Sequence, residues 1–362
     1  MLSVFTSLSL PILALIFVGA AAFVWVAGVR LSNTTDVLSS RFGLGEALGG
    51  LILLAIVTNL PEIAITASAS LSHNIGVAIG NILGGIAIQT VVLVVLDAFG
   101  VREGDPLTYR AASLLLVLEG ALVIGVLTVA VMGSQLPASL VFWRVEPETL
   151  LIAALWVVGL LLLNRARSYG LPWQEKGEAP HGQVELTGHS KAKKDQEAQK
   201  KGVSTARAAA VFSVAAMITL VGGVVLEESG DAIASKIGMS GVLFGSTFLA
   251  AATALPELST GLASVRLGDY KLAVSDIFGG NAFLPVLFLM ANLLSGEAVL
   301  PRAHDTDIYL TGLGILLTAV YLYGLIFRPR RRVLGVGMDS LVVLILYLLG
   351  VAGLVAVALG GG

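Results

Sequence analysis

The chain contains no cysteine, so neither a disulfide nor a thiolate metal ligand can figure in its chemistry. Charge is scarce as well. Asp, Glu, Lys and Arg make up 13% of its 362 residues, about half the share of an ordinary soluble domain, against 56% hydrophobic residues. Such a balance describes an all-α polytopic membrane protein with the lipid bilayer as its solvent. The net charge of -2 gives no reason to expect a nucleic-acid partner. A positively charged start is missing too. Met1 to Leu31 is apolar and outlasts a signal-peptide core, so it is expected to remain as a first spanning helix.

Histidine is rare and badly placed for catalysis. His73, His181, His189 and His304 all fall between apolar runs, so the Gly238-Met239-Ser240-Gly241 stretch has no base to activate its serine within a membrane. There is no His-Glu-x-x-His pair and no glycine-rich phosphate loop followed by lysine. The sequence therefore points away from an enzyme, from ATP drive and from a bound cofactor.

What remains is a series of ten apolar runs of spanning length, near 8–29, 44–70, 75–98, 109–132, 149–164, 207–227, 239–265, 270–294, 307–327 and 338–359. One polar region interrupts them. From Asn164 to Arg207 it holds nine of the chain's 22 Lys and Arg residues and is expected to be a solvated linker, 165–206, between a first unit, 1–164, and a second, 207–362. With that linker in the cytoplasm, 19 basic residues fall on its side, among them Arg110 and Arg328 to Arg332; Arg144, Lys236 and Arg302 fall on the other. Positive charge on the inside then places the N-terminus outside a plasma-membrane protein.

The two units are related. Shifted by 195 residues, Gly50, Leu54, Ala55, Thr58 and Leu60-Pro61-Glu62 meet Gly245, Leu249, Ala250, Thr253 and Leu255-Pro256-Glu257. The match runs on through Ala78/Ala273, Ile82/Ile277, Gly84-Gly85/Gly279-Gly280 and Ala87/Ala282, giving 12 identities in 38 positions. Because each unit holds five runs, an odd number, the second copy enters the membrane from the opposite side. Two inverted five-helix repeats with a midplane site are a recurring plan of secondary transporters.

Each copy buries a carboxylate at membrane depth, where a bare charge costs roughly 2.5 to 3.5 kcal/mol. Pro61 and Pro256 lack an amide hydrogen, so the Val57 and Ala252 carbonyls lose their helical partners, and Thr58 and Thr253 stand one turn from Glu62 and Glu257. Carboxylate, hydroxyl and loose carbonyl are hard oxygen donors suited to inorganic cations such as Ca2+. In the third run Asn81, Gly85 and Gln89 share a helix face; Asp276, Gly280 and Leu284 are their equivalents in the eighth, with Asn281 alongside. Asp276 is either part of this group, a cap for the eighth helix or a partner of Lys271, and Asn81 and Gln89 are cation ligands or interhelical glue. Glu119, whose equivalent is Gly314, is a proton-handling group or a packing feature. Glu227, Glu228 and Asp231 are expected at a span end, as solvated side chains or as an ion vestibule.

These motifs resemble the two alpha repeats of the calcium/cation antiporter superfamily, Gly-Thr-Ser-Leu-Pro-Glu followed by Gly-Asn-x-x-Gly-Ser-Asn, over residues 50–90 and 245–285. The resemblance implies a ten-helix, five-plus-five fold and sodium/calcium exchanger-like exchange of Ca2+ against Na+ or H+. On that resemblance Glu62, Glu257, Thr58 and Thr253 would be the cation ligands; the residues themselves add Asn81, Asp276, Asn59, Gln89 and Asn281 as candidates around them, with Glu62, Glu257 and Asp276 as the charged metal contacts. Movement of the first and sixth helices against the rest would give alternating access. The chain departs from the pattern at Asn59 and Ala254, which stand for serine; at Gly84-Gly85-Ile86 and Gly279-Gly280-Asn281, which stand for Gly-Ser-Asn; at Gln89 and Leu284; and at Asp276. Several hydroxyl donors are thereby removed. Coupling to protons, a substrate other than Ca2+, or a cation-binding channel or sensor are therefore further readings.

Overall fold

The computed structural model describes residues 2–41, 56–101, 104–169 and 204–360. Most of the expected linker lies outside them, as do 44–55 of the second run with Gly50, Leu54 and Ala55 of the repeat. The chain forms helices α1 (Leu10–Arg41), α2 (Leu60–Leu71), α3 (Ile75–Val95), α4 (Leu114–Ser134), α5 (Pro147–Tyr169) and α6 (Thr205–Ile237). Helix α7 covers Gly241–Thr253 and includes a π-helical turn at Gly245–Leu249. It is followed by α8 (Leu255–Arg266), α9 (Tyr270–Phe283, continuing through a short 3-10 turn to Ser295), α10 (Asp305–Phe327) and α11 (Met338–Gly360).

Among the described residues eight helices are long and apolar enough to cross a membrane. The pair α7 and α8, bent by 42° at its junction, makes a ninth candidate span, and α2 is a shorter apolar helix of 12 residues. This is a multi-pass all-α membrane protein. Its one β-sheet among the described residues is a small hairpin, β1 (Arg332–Val333) paired antiparallel with β2 (Val336–Gly337). Leu334 and Gly335 both take positive φ there, as a two-residue hairpin turn demands.

Three helices are longer than their apolar runs. The sixth run was expected to stop at 227, yet α6 continues ten residues through Glu227, Glu228 and Asp231 to a left-handed C-cap at Gly238, φ 71°. α1 likewise runs on to Arg41, and α5 covers 147–169 instead of 149–164. Hydropathy ends where polarity begins, but a polar residue stays helical when its side chain finds a partner. Here Ser68 donates to Glu227 at 2.9 Å and Asn74 to Asp231 at 2.8 Å.

The main core lies among α3, α4, α9 and α10, where Ile82, Ile86, Leu127, Phe278, Phe288 and Leu317 are fully or almost fully buried. A second, smaller core joins α1, α2, α6 and α7 through Val24, Ile65, Leu226 and Phe244. α1 and α6 lie against each other over much of their length. α3 and α7 approach more closely than side chains allow. A Cβ on Gly84 would run into the Ser246 backbone, so this seam depends on glycine, as tight helix pairs in membranes commonly do.

The two ends of the bundle differ in charge. At the C-terminal end of α3, Arg328 and Arg330 stack on Tyr109, Arg110 on Tyr270, and Arg332 donates to the carbonyls of Asp97 and Val101. Near the start of α3, His73 pairs with Glu297 at 3.2 Å, and Arg302 joins the same carboxylate.

Candidate cation-binding site

Both Leu-Pro-Glu stretches break a helix in the same way. Residues 56–58 are helical, Asn59 turns out at φ -90°, ψ 18°, and α2 restarts at Leu60 with Pro61 in its first turn. In the second unit Ala254 (φ -80°, ψ -1°) joins α7 to α8, with Pro256 in the first turn of α8. Proline is tolerated there because its missing N–H would have been an orphan anyway. Pro61 is thus a helix start and not, as the sequence suggests, an interior kink. Glu62 and Glu257 each stand in the first turn of a helix, where the positive end of its dipole and its free N–H groups favour an anion.

The two carboxylates meet in the interior. Glu62 is 0% and Glu257 3% exposed, and Glu62 and Asp276 are close enough to act electrostatically on Glu257. None of the four oxygens of Glu62 and Glu257 accepts a hydrogen bond of ordinary geometry. Thr253 lies beside Glu62, and its hydroxyl also lies 3.2 Å from the Ala250 carbonyl, to which it can donate. Thr58 is buried beside Asn59, whose amide lies 3.5 Å from its hydroxyl.

Amides complete the wall. Asn81 is fully buried with neither its oxygen nor its nitrogen bonded, and the same holds for Gln89. Gly280 of α9 fixes where they converge: a Cβ on it would stand 3.2 Å from Asn59 Nδ2 and 3.3 Å from Gln89 Oε1. Asn281 faces the other way, donating to Thr90 Oγ1 at 3.1 Å and to the Ile86 carbonyl at 3.4 Å, with its own Oδ1 unbonded. A cluster of buried polar atoms without partners is costly in a folded protein, about 1–3 kcal/mol for each, and asks for a ligand.

Asp276 stands apart from the pair. It is half-buried, 3.5 Å from the Thr260 hydroxyl, and among the described residues no three acidic or histidine side chains gather tightly enough to hold one metal ion. Glu62 and Glu257 are the close carboxylates and Asp276 the outlying one. The cap of α9 is Asp269, which accepts from the Leu272 N–H, so the alternative of Asp276 as a cap falls away. Glu119 is buried on α4, which packs on α5, α9 and α10, and it is not among the charges that act on Glu257. Thr90 was not singled out by the sequence; a lone threonine in an apolar run ordinarily bonds its own helix, and Thr90 does so too, to Ile86 at 2.7 Å.

Two glycines press the long helices onto these breaks. A Cβ on Gly28 of α1 would lie 2.6 Å from the Pro256 ring, and one on Gly223 of α6 would lie 3.0 Å from the Pro61 carbonyl and 2.7 Å from Ala64. The site is therefore a pair of acidic helix starts, walled by amides and clamped by two glycine contacts.

The sequence profile of the sodium/calcium exchanger protein family matches residues 12–165 and 207–356. The chain belongs to that family, a class of membrane antiporters for cations. It is 28% identical over 297 residues to the inner membrane protein YrbG of Escherichia coli (strain K12), covering 81% of this chain and 83% of that one. Its fold is that of the H+/Ca2+ exchanger CAX (TM-score 0.65, 13% identity, 98% of this chain and 87% of that one). It also matches the sodium-calcium exchanger NCX_Mj (TM-score 0.58, 16% identity, 95% and 99%).

Proposed function

We propose that this chain is a secondary antiporter that exports a hard divalent cation, Ca2+ foremost, in exchange for Na+ or H+. The observation that carries the reading is the buried, unbonded pair Glu62 and Glu257. Two carboxylates brought together out of water are tolerable when a cation or protons neutralise them, and an exchange cycle supplies one or the other at every stage. Thr58, Thr253 and the carbonyls left open at the two helix breaks would add neutral oxygens; Asn59, Asn81 and Gln89 would line the pocket, with Asn281 behind them bonded to α3; Asp276 would bind on its edge.

The reading includes ten spans in two inverted repeats, 1–164 and 207–362, joined by a cytoplasmic linker at 165–206. Several contacts support it. Asn281 donates to the carbonyl of Ile86, 195 residues before it, and Gly28 and Gly223, each pressed on the proline of the opposite unit, are also 195 residues apart. A two-fold axis in the membrane plane would produce both relations. Alternating access would then move α1 and α6 together against the remaining helices, the smaller core serving as their seat.

The second unit is poor in neutral donors, with Ala254 and Leu284 at positions equivalent to Asn59 and Gln89. That favours protons over Na+ as counter-ion, since a weakly held monovalent ion needs many oxygens. Purified protein in liposomes tests the whole. Radiolabelled Ca2+ should accumulate under an opposed Na+ or pH gradient; uptake indifferent to both would identify a channel or a binding protein instead.

A further inference from the structure

Above the central pair, on the side of α2 and α6 facing the C-terminus of α6, lies a second group of acids. Glu227 and Glu228 are 2% and 8% exposed, where the sequence led us to expect solvated side chains. Glu227 accepts from Ser68 at 2.9 Å and feels the charges of Glu228 and Asp231, while Asp231 is held by Asn74 at 2.8 Å. Glu228 differs from its neighbours: its Oε2 is buried and bonded to nothing. It lines a cavity of about 480 Å3 between α2 and α6, together with Ala64, Ser68, Leu71, Ser72 and Val224.

The position of this cavity is informative. Ser68 is six residues beyond Glu62 on α2, about 9 Å at helical rise, and Glu227 is four residues, about 6 Å, beyond Gly223, which rests on Pro61. The group thus sits one to two turns from the central carboxylates, toward the face that carries the start of α3. Glu227 and Glu228 have no acidic counterpart in the first repeat, because the positions 195 residues before them are Ser32 and Asn33; Asp231 has one, Asp36. Packing needs would be shared by both repeats; the charge of the two glutamates is not.

We propose that Glu228 and Glu227, oriented by Ser68, form an outer staging site that takes the transported metal cation from the medium and passes it inward to Glu62 and Glu257. The donors are oxygens, as the central site also offers, and the cavity between α2 and α6 gives the ion room. A cleft that carries a carboxylate raises the local concentration of its cation, so it governs capture from one face alone. The inference rests on the exchange reading above.

The test compares radiolabelled Ca2+ exchange by intact cells expressing the full chain, whose medium reaches the outer face, with everted vesicles, whose medium reaches the cytoplasmic face. Glu228→Gln should raise the half-saturating Ca2+ concentration at the outer face about tenfold, the low end of the range for charge-lined clefts, and leave the cytoplasmic value as it was. Ser68→Ala and Glu227→Gln should shift the same value in the same direction, and they carry the test if Glu228→Gln fails to give a monodisperse protein. An unchanged outer value, an equal rise at both faces, or a rise confined to everted vesicles overturns the staging site while the exchange reading stands. A wild-type chain that exchanges no cation at either face overturns both.

Discussion

The glycine contacts on the two prolines make a sharp prediction. In Gly28→Ala the new Cβ would stand 2.6 Å from Pro256 Cβ and Cγ, against the 3.5–4.0 Å that carbon atoms prefer, so about 1 Å of room is missing. Nothing nearby can swing away, because the Pro256 ring is tied to its own backbone. In Gly223→Ala the obstacles are Ala64 Cβ at 2.7 Å and the Pro61 carbonyl at 3.0 Å, equally fixed. Overpacking of this kind costs about 1–3 kcal/mol. Pro61 and Pro256 each precede a site glutamate, so the strain falls on the site as well as on the fold. Exchange at fixed cation should drop by about 5- to 150-fold, which is that energy expressed as a ratio, and the melting temperature in detergent should fall for both variants. Gly19→Ala on α1, with nothing within 4 Å of its added carbon, is the control and should behave as wild type. Wild-type melting and exchange in Gly28→Ala and Gly223→Ala would refute the claim that these contacts seat the two long helices.

Three other outcomes follow from the geometry. Glu62→Gln and Glu257→Gln should each abolish Ca2+ exchange and also the rise in melting temperature that added Ca2+ gives the wild type, where a hundredfold excess over Kd stabilises the fold by about 2.7 kcal/mol; full activity in Glu257→Gln would defeat the site assignment. Gly84→Val should prevent assembly of α3 on α7, read as loss of the monodisperse peak in size-exclusion chromatography. Outside the spans, Glu146 accepts from Asn292 at 2.9 Å and from the Val299 and Leu300 N–H groups, and burial pushes its carboxyl above the usual range. The folded chain therefore holds that proton more tightly than the unfolded one, so this group's contribution to stability falls as pH rises through its folded value. Asn292→Leu removes a donor, costs about 1–3 kcal/mol, and should make melting fall more steeply with pH than in the wild type.

How much could be read beforehand differs from residue to residue. Glu62 and Glu257 stood out because a charge inside an apolar run is expensive and because proline and threonine mark both copies alike. Their meeting could not be read, since it depends on how α2, α3, α8 and α9 pack. Gly280 reveals the convergence of Asn59 and Gln89 by what it lacks, a Cβ, and spacing along one helix says nothing of that. The burial of Glu227 and Glu228 was missed for a related reason: polarity ends an apolar run, while the serine and asparagine that partner this stretch of α6 lie about 160 residues earlier. The hairpin at 332–337 was missed because strands of two residues around Leu334-Gly335 carry no alternation to detect.

The lengths of α1 and α6 carry a last implication. At 32 and 33 residues they measure about 48 and 50 Å, whereas the hydrocarbon layer is about 30 Å deep. The 26-residue apolar part of α1 alone, about 39 Å, fits that depth if it leans by about 40°, the upper end of what spanning helices adopt. Lipid tail length then becomes a setting of the machine: short acyl chains should force this pair to lie flatter, long ones should let it stand up. Turnover measured across vesicles of graded chain length should pass through an optimum.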